Sequence, residues 1–96
     1  MDLEFRWDPQ KATANYTKHK VSFEEALTVF NDQLAFIFED EEHSEMERRE
    51  TIIGHSNKNR LLIVAFTEHT TNIIRIFSAR SVTKRERNDY EDQRIR

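Results

Sequence analysis

Two neighbouring apolar runs decide the fold, Leu61-Leu62-Ile63-Val64-Ala65-Phe66 and Ile73-Ile74-Arg75-Ile76-Phe77-Ser78. The first run is apolar without alternation, which is typical of a central strand covered on both faces, although periodicity alone is also compatible with a buried helix. The turn-forming residues on either side of it, 56–59 and 68–72, favour the strand. The two runs therefore predict a hairpin inside an antiparallel sheet.

Capping signals in the rest of the chain predict three helices. Asp8-Pro9 supplies an N-cap oxygen followed by a proline at the first helical position, where no N–H is needed. A capping box over 22–25 begins a second helix that ends at Asn31-Asp32, and another over 83–86 begins a last helix that extends to about Arg94. That last helix has almost no apolar residue besides Tyr90, so we expect it to dock weakly by itself.

Further strands are predicted by period-two alternation at 3–7 and 34–39, and by the β-rich run 49–55. The predicted order is β-α-α-β-β-β-β-α, and the 96 residues are enough for one domain. We therefore expect residues 1–96 to form a single α+β domain. Its antiparallel sheet has four to five strands, with two N-terminal helices and one C-terminal helix.

Composition excludes several classes of protein. With no cysteine the chain forms neither a disulfide nor a thiolate metal site, and with one glycine it lacks the phosphate loops of nucleotide-binding enzymes. The N-terminus has no apolar signal region, and no apolar run is long enough to span a membrane. We expect a cytoplasmic protein. Since 36% of the residues are hydrophobic and 34% are charged, we also expect marginal stability without a partner.

Charge is divided between two parts of the chain. Residues 21–54 carry ten acids and two bases, whereas residues 55–96 carry nine bases and five acids. The acidic run 39–47 is typical of a solvated loop, with a docking site for a basic partner as the next interpretation and a metal site as a weaker one. The basic part is compatible with a polyanionic ligand, which lysine and arginine bind by neutralising phosphates.

Arg75 is the most informative single residue, because it interrupts an apolar strand where a guanidinium needs a partner. It forms either a structural salt bridge, for instance to Glu68 across the hairpin, or a clamp for phosphate on an open sheet face. The nearby cations extend this basic region into the last helix: Arg80, Lys84, Arg85 and Arg87. Bases in the first turn of a helix are unfavourable unless an anion offsets them.

Two further groups are candidates for proton transfer. Glu68 and His69 lie where a strand is predicted to end, and strand ends present side chains to ligands. His19 lies between Lys18 and Lys20, whose like charge favours the neutral imidazole that a base requires, although a solvated loop histidine has the same pattern. The remaining histidines show no metal-binding spacing, so we expect neither a metal nor another cofactor.

Motifs along nearly the whole chain resemble the BrnT toxin family. They include Phe5-Arg6-Trp7-Asp8-Pro9, Lys11, Asn15, Lys18-His19, Val21-Ser22-Phe23-Glu24-Glu25-Ala26, Val29-Phe30, Arg49, Gly54, Arg60-Leu61-Leu62, Ile74-Arg75-Ile76-Phe77-Ser78-Ala79-Arg80, Glu86 and Tyr90. The resemblance implies a RelE-like α+β ribonuclease of a bacterial type II toxin–antitoxin pair. It also implies inhibition by a ribbon-helix-helix antitoxin, which itself binds operator DNA.

The sequence departs from the family at four positions. Lys20 and Asn59 stand where the family commonly has glycine, and Phe77 stands where isoleucine is usual. His69 stands where the family often has an arginine after the acid, here Glu68. If that arginine assists phosphate binding in the family, the resemblance implies a weakened or differently tuned nuclease.

The function expected from the residues and the resemblance together is metal-independent RNA cleavage, in which the ribose 2′-OH attacks the adjacent phosphate. The reaction needs a base, an acid and cations around the phosphate. The candidate residues are Arg75 and Arg80 as clamps with Arg49 in support, Glu68 or His19 as base, and Lys18 or His69 as acid. Arg60, Lys84, Arg85 and Arg87 are expected to hold the RNA backbone, together with His69.

Two other functions stay open from the sequence. One is a non-catalytic module that completes a repressor complex with a DNA-binding partner. The other is a domain that binds single-stranded RNA without cleaving it, for which stacking aromatics are needed and Phe77 is the only good strand candidate.

Overall fold

The computed structural model describes residues 2–39 and 48–95, and the chain forms the predicted order of elements. The strands are β1 (Glu4–Arg6), β2 (Phe36–Glu39), β3 (Glu50–His55), β4 (Leu61–Thr70) and β5 (Ile73–Ser81). The helices are α1 (Pro9–His19), α2 (Phe23–Leu27) and α3 (Lys84–Ile95), and a 3-10 helix (Thr28–Asn31) follows α2. The α+β class, with two N-terminal helices and one C-terminal helix, is confirmed.

The five strands form one sheet in the order β1-β5-β4-β3-β2. Every neighbouring pair from β2 to β5 is antiparallel, as predicted, but β1 is parallel to β5. Local alternation predicts a strand without fixing its direction or its neighbour. The parallel pair follows from the helical connection, which separates β1 from the strands that follow it in the chain.

The main core lies between one face of the sheet, called here the inner face, and the two N-terminal helices. Its largest fully buried side chains are Phe23, Leu62, Ile76, Val21, Val29 and Val64. A smaller cluster of Ile53, Leu61 and Tyr90 lies on the opposite face, called here the outer face. The aromatic ring of Tyr90 therefore anchors α3 over part of the outer face, which confirms its predicted role as the apolar anchor of this helix.

The capping signals place the helix starts correctly. Asp8 accepts a hydrogen bond from the Gln10 N–H at 2.8 Å at the start of α1. At the start of α3, Thr83 and Glu86 exchange both bonds of a capping box, at 3.1 and 2.8 Å. Ser22 accepts from the Glu25 N–H at 3.0 Å, but this box is only half formed because the Glu25 carboxylate is used elsewhere.

One predicted boundary is wrong, and one predicted helix is of mixed type. The second helix ends at Asn31, as predicted, but it is α-helical only to Leu27 and continues as the 3-10 helix from there. The expected turn over 68–72 is shorter, because β4 continues to Thr70 and only Thr71 and Asn72 remain between the strands. Pairing with β5 extends the strand beyond the apolar run that signals it.

The single glycine is required by a close approach of the chain. A Cβ at Gly54 would lie 2.8 Å from the Cβ of Ala35 and 3.0 Å from an oxygen of Asp32. The segment before β2 can therefore pack directly on β3. Asp32 uses this contact to accept a hydrogen bond from the His55 N–H at 2.8 Å.

Candidate functional site

Three cationic side chains surround the ring of Phe77 on the outer face of the sheet. The guanidinium carbon of Arg49 lies 4.2 Å from the ring centroid, the Lys11 ammonium 5.4 Å and the Arg75 guanidinium carbon 5.9 Å. Each lies within the distance at which a cation is attracted by the negative face of an aromatic ring. We call Lys11, Arg49 and Arg75 the cation cluster.

An irregularity in β5 gives Phe77 its position. The register of β4 with β5 shifts between Ala65 and Phe66, so that Phe77 is the extra residue of a bulge. Before the bulge Ile76 is buried on the inner face and after it Ala79 is buried there too, three residues apart instead of two, whereas Phe77 is half-buried and lies among the cations. Bulges commonly re-aim side chains near functional sites in this way.

Helix α1 brings Lys11 to the ring because it takes the place of a strand beside β5. Strand β1 pairs with β5 only as far as Arg75, which leaves the rest of that edge open. There the Asn15 amide donates to the Ala79 carbonyl at 2.8 Å and accepts from the Ala79 N–H at 3.1 Å. Because Lys11 lies one turn before Asn15 on the same side of the helix, it projects toward Phe77.

The charges of Lys11 and Arg75 are not neutralised by a described carboxylate. Neither side chain has an ion pair with any residue in 2–39 or 48–95. The predicted alternative, a bridge from Arg75 to Glu68, is not formed. Glu68 is opposite Ile74, whose side chain is buried in the inner core, so its carboxylate lies on the other face of the sheet from Arg75.

Arg80 has a carboxylate partner instead. Its two terminal nitrogens donate to the two oxygens of Glu86 at 2.8 and 2.9 Å. This pair holds the pKa of Glu86 at about 2, well below its usual range, and raises the pKa of Arg80. Glu86 is also the anion that the basic first turn of α3 requires, so the fork of Arg80 is engaged in anchoring the helix.

Arg60 belongs to a second network at the far end of β4. It donates to Glu25 through Nε at 2.9 Å and to the Lys20 carbonyl at 3.0 Å, and a second nitrogen bonds the same carboxylate. The Ser56 hydroxyl donates to this carboxylate at 2.6 Å. The hydrogen bond from Arg60 is the main reason that the pKa of Glu25 is lowered, against the opposing effect of burial. Arg60 therefore fastens the turn between β3 and β4 to α2.

The remaining predicted residues lie on α1, β4 and α3. Lys18 and His19 end α1, and at 1.5 Å per residue His19 is about 12 Å along the helix from Lys11. His69 lies on β4 at the irregularity between Glu68 and Thr70, just beyond Thr67, which is opposite Arg75. Three exposed cations line the first turn of α3: Lys84, Arg85 and Arg87.

The structure thus brings together Arg49 and Arg75 but not Arg80, Arg60, Lys18 or His19. It also adds Lys11, to which the sequence reasoning assigned no role. The signal for Lys11 is its spacing of four residues from Asn15, a buried polar residue on the side of α1 that contacts β5.

In the described part of the chain no three His, Cys, Asp or Glu side chains are grouped closely enough to hold a metal. The acidic run is described only at Glu39, and residues 40–47 lie outside the described residues. No described helix has the length and apolar character needed to cross a membrane.

Comparison with known proteins gives matches to one family. A family model described as the ribonuclease toxin BrnT of type II toxin–antitoxin systems matches residues 7–86. The crystal structure of the Brucella abortus ribonuclease toxin BrnT superimposes with a TM-score of 0.66 and 21% sequence identity, over 85% of this chain and 99% of that one. This structural likeness shows a shared fold. No curated protein sequence matches the chain.

Proposed function

Because the chain belongs to the BrnT family of ribonuclease toxins from type II toxin–antitoxin systems, we propose that the cation cluster around Phe77 is its RNA-cleaving site. The observation that carries this proposal is the convergence of Lys11, Arg49 and Arg75 on one side of the sheet. Arginine forks there can bind the non-bridging oxygens of a phosphate in two-point contacts. The two uncompensated charges, on Lys11 and Arg75, favour an anionic ligand.

The proposed reaction is metal-independent cleavage of RNA. The 2′-oxygen forms a bond to the adjacent phosphorus while the bond from phosphorus to the 5′-oxygen breaks, which leaves a 2′,3′-cyclic phosphate and a 5′-OH. The phosphorane carries more negative charge than the phosphate diester. Arg75 and Arg49, held in place before the substrate arrives, stabilise that added charge.

Proton transfer is assigned to two residues, one on each side of the phosphate-binding arginines. His69, near Arg75 on the neighbouring strand, accepts the proton of the 2′-OH, and the Lys11 ammonium on the other side donates a proton to the leaving 5′-oxygen. This revises the assignment from sequence, since Glu68 is on the opposite face and both His19 and Lys18 lie along α1 from the cluster. Lys84, Arg85 and Arg87 bind the RNA backbone away from the scissile bond.

Phe77 acts as a positioning residue. The guanidinium of Arg49 lies over its ring, so the ring orients that cation. Because Arg49 already occupies a face of the ring, this arrangement supports phosphate binding at the cluster more than base stacking on Phe77. It therefore favours cleavage over the alternative of RNA binding by stacking alone.

The proposal includes the partners of such a toxin. The RNA is bound directly, and operator DNA is bound only through a ribbon-helix-helix antitoxin. The reaction takes place in the cytoplasm, where the RNA substrate is found.

The test is RNA cleavage by the purified protein in excess EDTA, with mapping of both product ends. Wild-type protein is expected to yield cyclic phosphate and 5′-OH ends, and expression in a bacterium is expected to arrest growth. Arg75→Ala and Arg49→Ala should each lower the cleavage rate roughly 100-fold or more. The matched control is Arg48→Ala, which removes the neighbouring, 71% exposed guanidinium and should leave the rate within about twofold of wild type.

Three results would contradict the proposal. Activity that disappears in EDTA and returns with magnesium or manganese would indicate a metal mechanism, for which the acidic run 39–47 supplies candidate ligands. Full activity of a soluble Arg75→Ala protein would show that the cation cluster is not the RNA-cleaving site. Absence of both cleavage and growth arrest in the wild type would favour the non-catalytic partner module.

A further inference from the structure

A groove of about 450 Å³ lies between α3 and the β2 edge of the sheet, away from the cation cluster. Apolar side chains of β2, β3 and β4 form much of its lining, together with Tyr90 from α3. Asp89 and Gln93 supply polar groups on the α3 side. The groove therefore has an apolar floor with a polar rim, which is the usual anatomy of a protein-binding surface.

Exposed apolar residues are concentrated at the β2 edge beside this groove. Leu34, Ile37 and Phe38 are 52%, 55% and 48% exposed, and they account for three of the five exposed large apolar residues in the described ranges. Ile37 and Phe38 both line the groove, and their register opposite Ile52 and Thr51 places them on opposite faces of the sheet. Exposed apolar surface on both sides of a sheet edge marks an interaction site.

The backbone of β2 is also available for pairing. Strand β2 is the last strand of the sheet and pairs only with β3, so its other edge has no strand partner among the described residues. An edge strand with exposed apolar side chains can accept an extended segment of another protein.

The charge beside the groove selects the kind of partner. Asp89 on the rim has no ion pair in 2–39 or 48–95. The nearby Arg80 does not offset this charge, because Glu86 neutralises it. A segment that fits here combines apolar side chains for the floor with lysine or arginine for the rim.

We infer that this groove is the docking site for an apolar and basic segment of the antitoxin. The inference rests on the family membership, because a type II toxin is paired with an antitoxin. The groove is separate from the proposed active site: three strand spacings of about 4.8 Å put β2 about 14 Å from β5. Docking here therefore supplies affinity, and a different part of the antitoxin must reach the cation cluster to inhibit it.

The test measures affinity for the cognate antitoxin and RNA cleavage by the free protein in the same set of variants. Ile37→Asp adds a charge to the apolar surface at the β2 edge and should weaken antitoxin binding at least tenfold, and Asp89→Lys should weaken it about fivefold. The control is Tyr16→Asp on α1, because Tyr16 is also 55% exposed but lines a different cleft. All three variants change exposed positions, so they should fold and cleave RNA at the wild-type rate.

Several outcomes would overturn the inference. Affinity unchanged in both Ile37→Asp and Asp89→Lys, or lost in Tyr16→Asp alone, would place the antitoxin elsewhere. A dimer of the free protein in sedimentation that Ile37→Asp dissociates would make a second copy of the chain the occupant. These outcomes are independent of the proposed active site, because the Arg75→Ala test measures RNA cleavage by the free protein, whereas the docking test compares affinities for the antitoxin.

Discussion

Three arginines of the second half of the chain have the same appearance in the sequence and different roles in the structure. Arg80 is paired with Glu86 and Arg60 with Glu25, whereas Arg75 has no carboxylate partner among the described residues. A paired guanidinium has already satisfied its hydrogen bonds, so binding a phosphate there would require breaking the pair. The partner of each arginine therefore determines which of them can bind a substrate anion.

The backbone conformation explains why the family commonly has glycine at two positions where this chain has other residues. Lys20 and Asn59 are the non-glycine residues of the described chain with positive φ, and both have φ of 59°. Lys20 ends α1 in the left-handed conformation, with its N–H donating to the Tyr16 carbonyl. A Cβ is disfavoured there, and asparagine tolerates the conformation better than lysine does.

We predict that Lys20→Gly stabilises the protein by about 0.5–1 kcal/mol. Glycine removes a steric cost of roughly 1–2 kcal/mol and loses part of that gain through its freer unfolded chain. Asn59→Gly should change stability by no more than about 0.5 kcal/mol, because asparagine already tolerates this conformation. Urea unfolding of both variants measures the difference, and destabilisation by Lys20→Gly would contradict the prediction.

At the scale of elements, the sheet is completed on one side by a side chain. Beyond Arg75 the edge of β5 has no strand partner among the described residues, and the buried Asn15 amide replaces one by bonding both polar groups of Ala79. The same amide nitrogen donates to the Val21 carbonyl at 3.0 Å, which fastens the connection between α1 and α2. One residue thereby fixes α1 against the sheet and sets the position of Lys11.

We predict that Asn15→Ala destabilises the fold by about 2–4 kcal/mol, because it leaves one buried N–H and two buried carbonyls without their partner. Thr17→Ala, at an exposed position of the same helix, should change the free energy of unfolding by less than about 0.5 kcal/mol. Chemical denaturation of both variants provides the comparison. A cost for Asn15→Ala as small as that of the control would show that the amide does not hold α1.

At the scale of the whole molecule, two carboxylate–arginine pairs fasten helices to opposite parts of the sheet, in addition to the apolar core. One joins α2 to the turn between β3 and β4 through Glu25, and the other joins α3 to β5 through Glu86. Folding lowers the pKa of both carboxyls from an ordinary value of 4.5. Such groups contribute stability above their unfolded pKa, and this stability is lost as the pH falls through the folded value.

We therefore predict that the free energy of unfolding falls as the pH is lowered from about 5 to 2, the pKa of Glu86 being about 2 in the folded protein. Glu86→Gln should be about 1–2 kcal/mol less stable than wild type at pH 7, allowing for partial exposure of the pair. Its free energy of unfolding should also fall less than that of wild type when the pH is lowered. Glu91→Gln, at an exposed position of α3, serves as the control. The free energy of unfolding of each protein is measured by denaturation at pH 7, 4 and 3. If it falls equally with pH in Glu86→Gln and wild type, the prediction is wrong.

Local sequence determined the elements of this protein. The N-cap at Asp8, the capping box at Thr83 and the apolar runs of the central hairpin act within a few residues, so each is visible in the chain alone. The family motifs in the sequence also predicted the class of fold and the ribonuclease toxin family, and the match to the family model confirms the family. The predicted end of β4 was wrong because pairing with β5 extends this strand beyond its apolar run, and that pairing is not visible in the local sequence.

The tertiary structure alone decided which of these residues meet. Lys11, Arg49 and Phe77 come from a helix, a segment before a strand and a bulge. The spacing of Lys11 from Asn15 concerns the orientation of Lys11 on its helix, and it does not indicate that the three residues converge. The direction of β1, the partners of Arg80 and Arg60 and the apolar groove beside β2 also depend on packing between elements far apart in the chain. The physical reason is that propensity and capping act through the nearest neighbours in sequence. Charge pairing and side-chain convergence depend instead on distances that exist only once the sheet has formed.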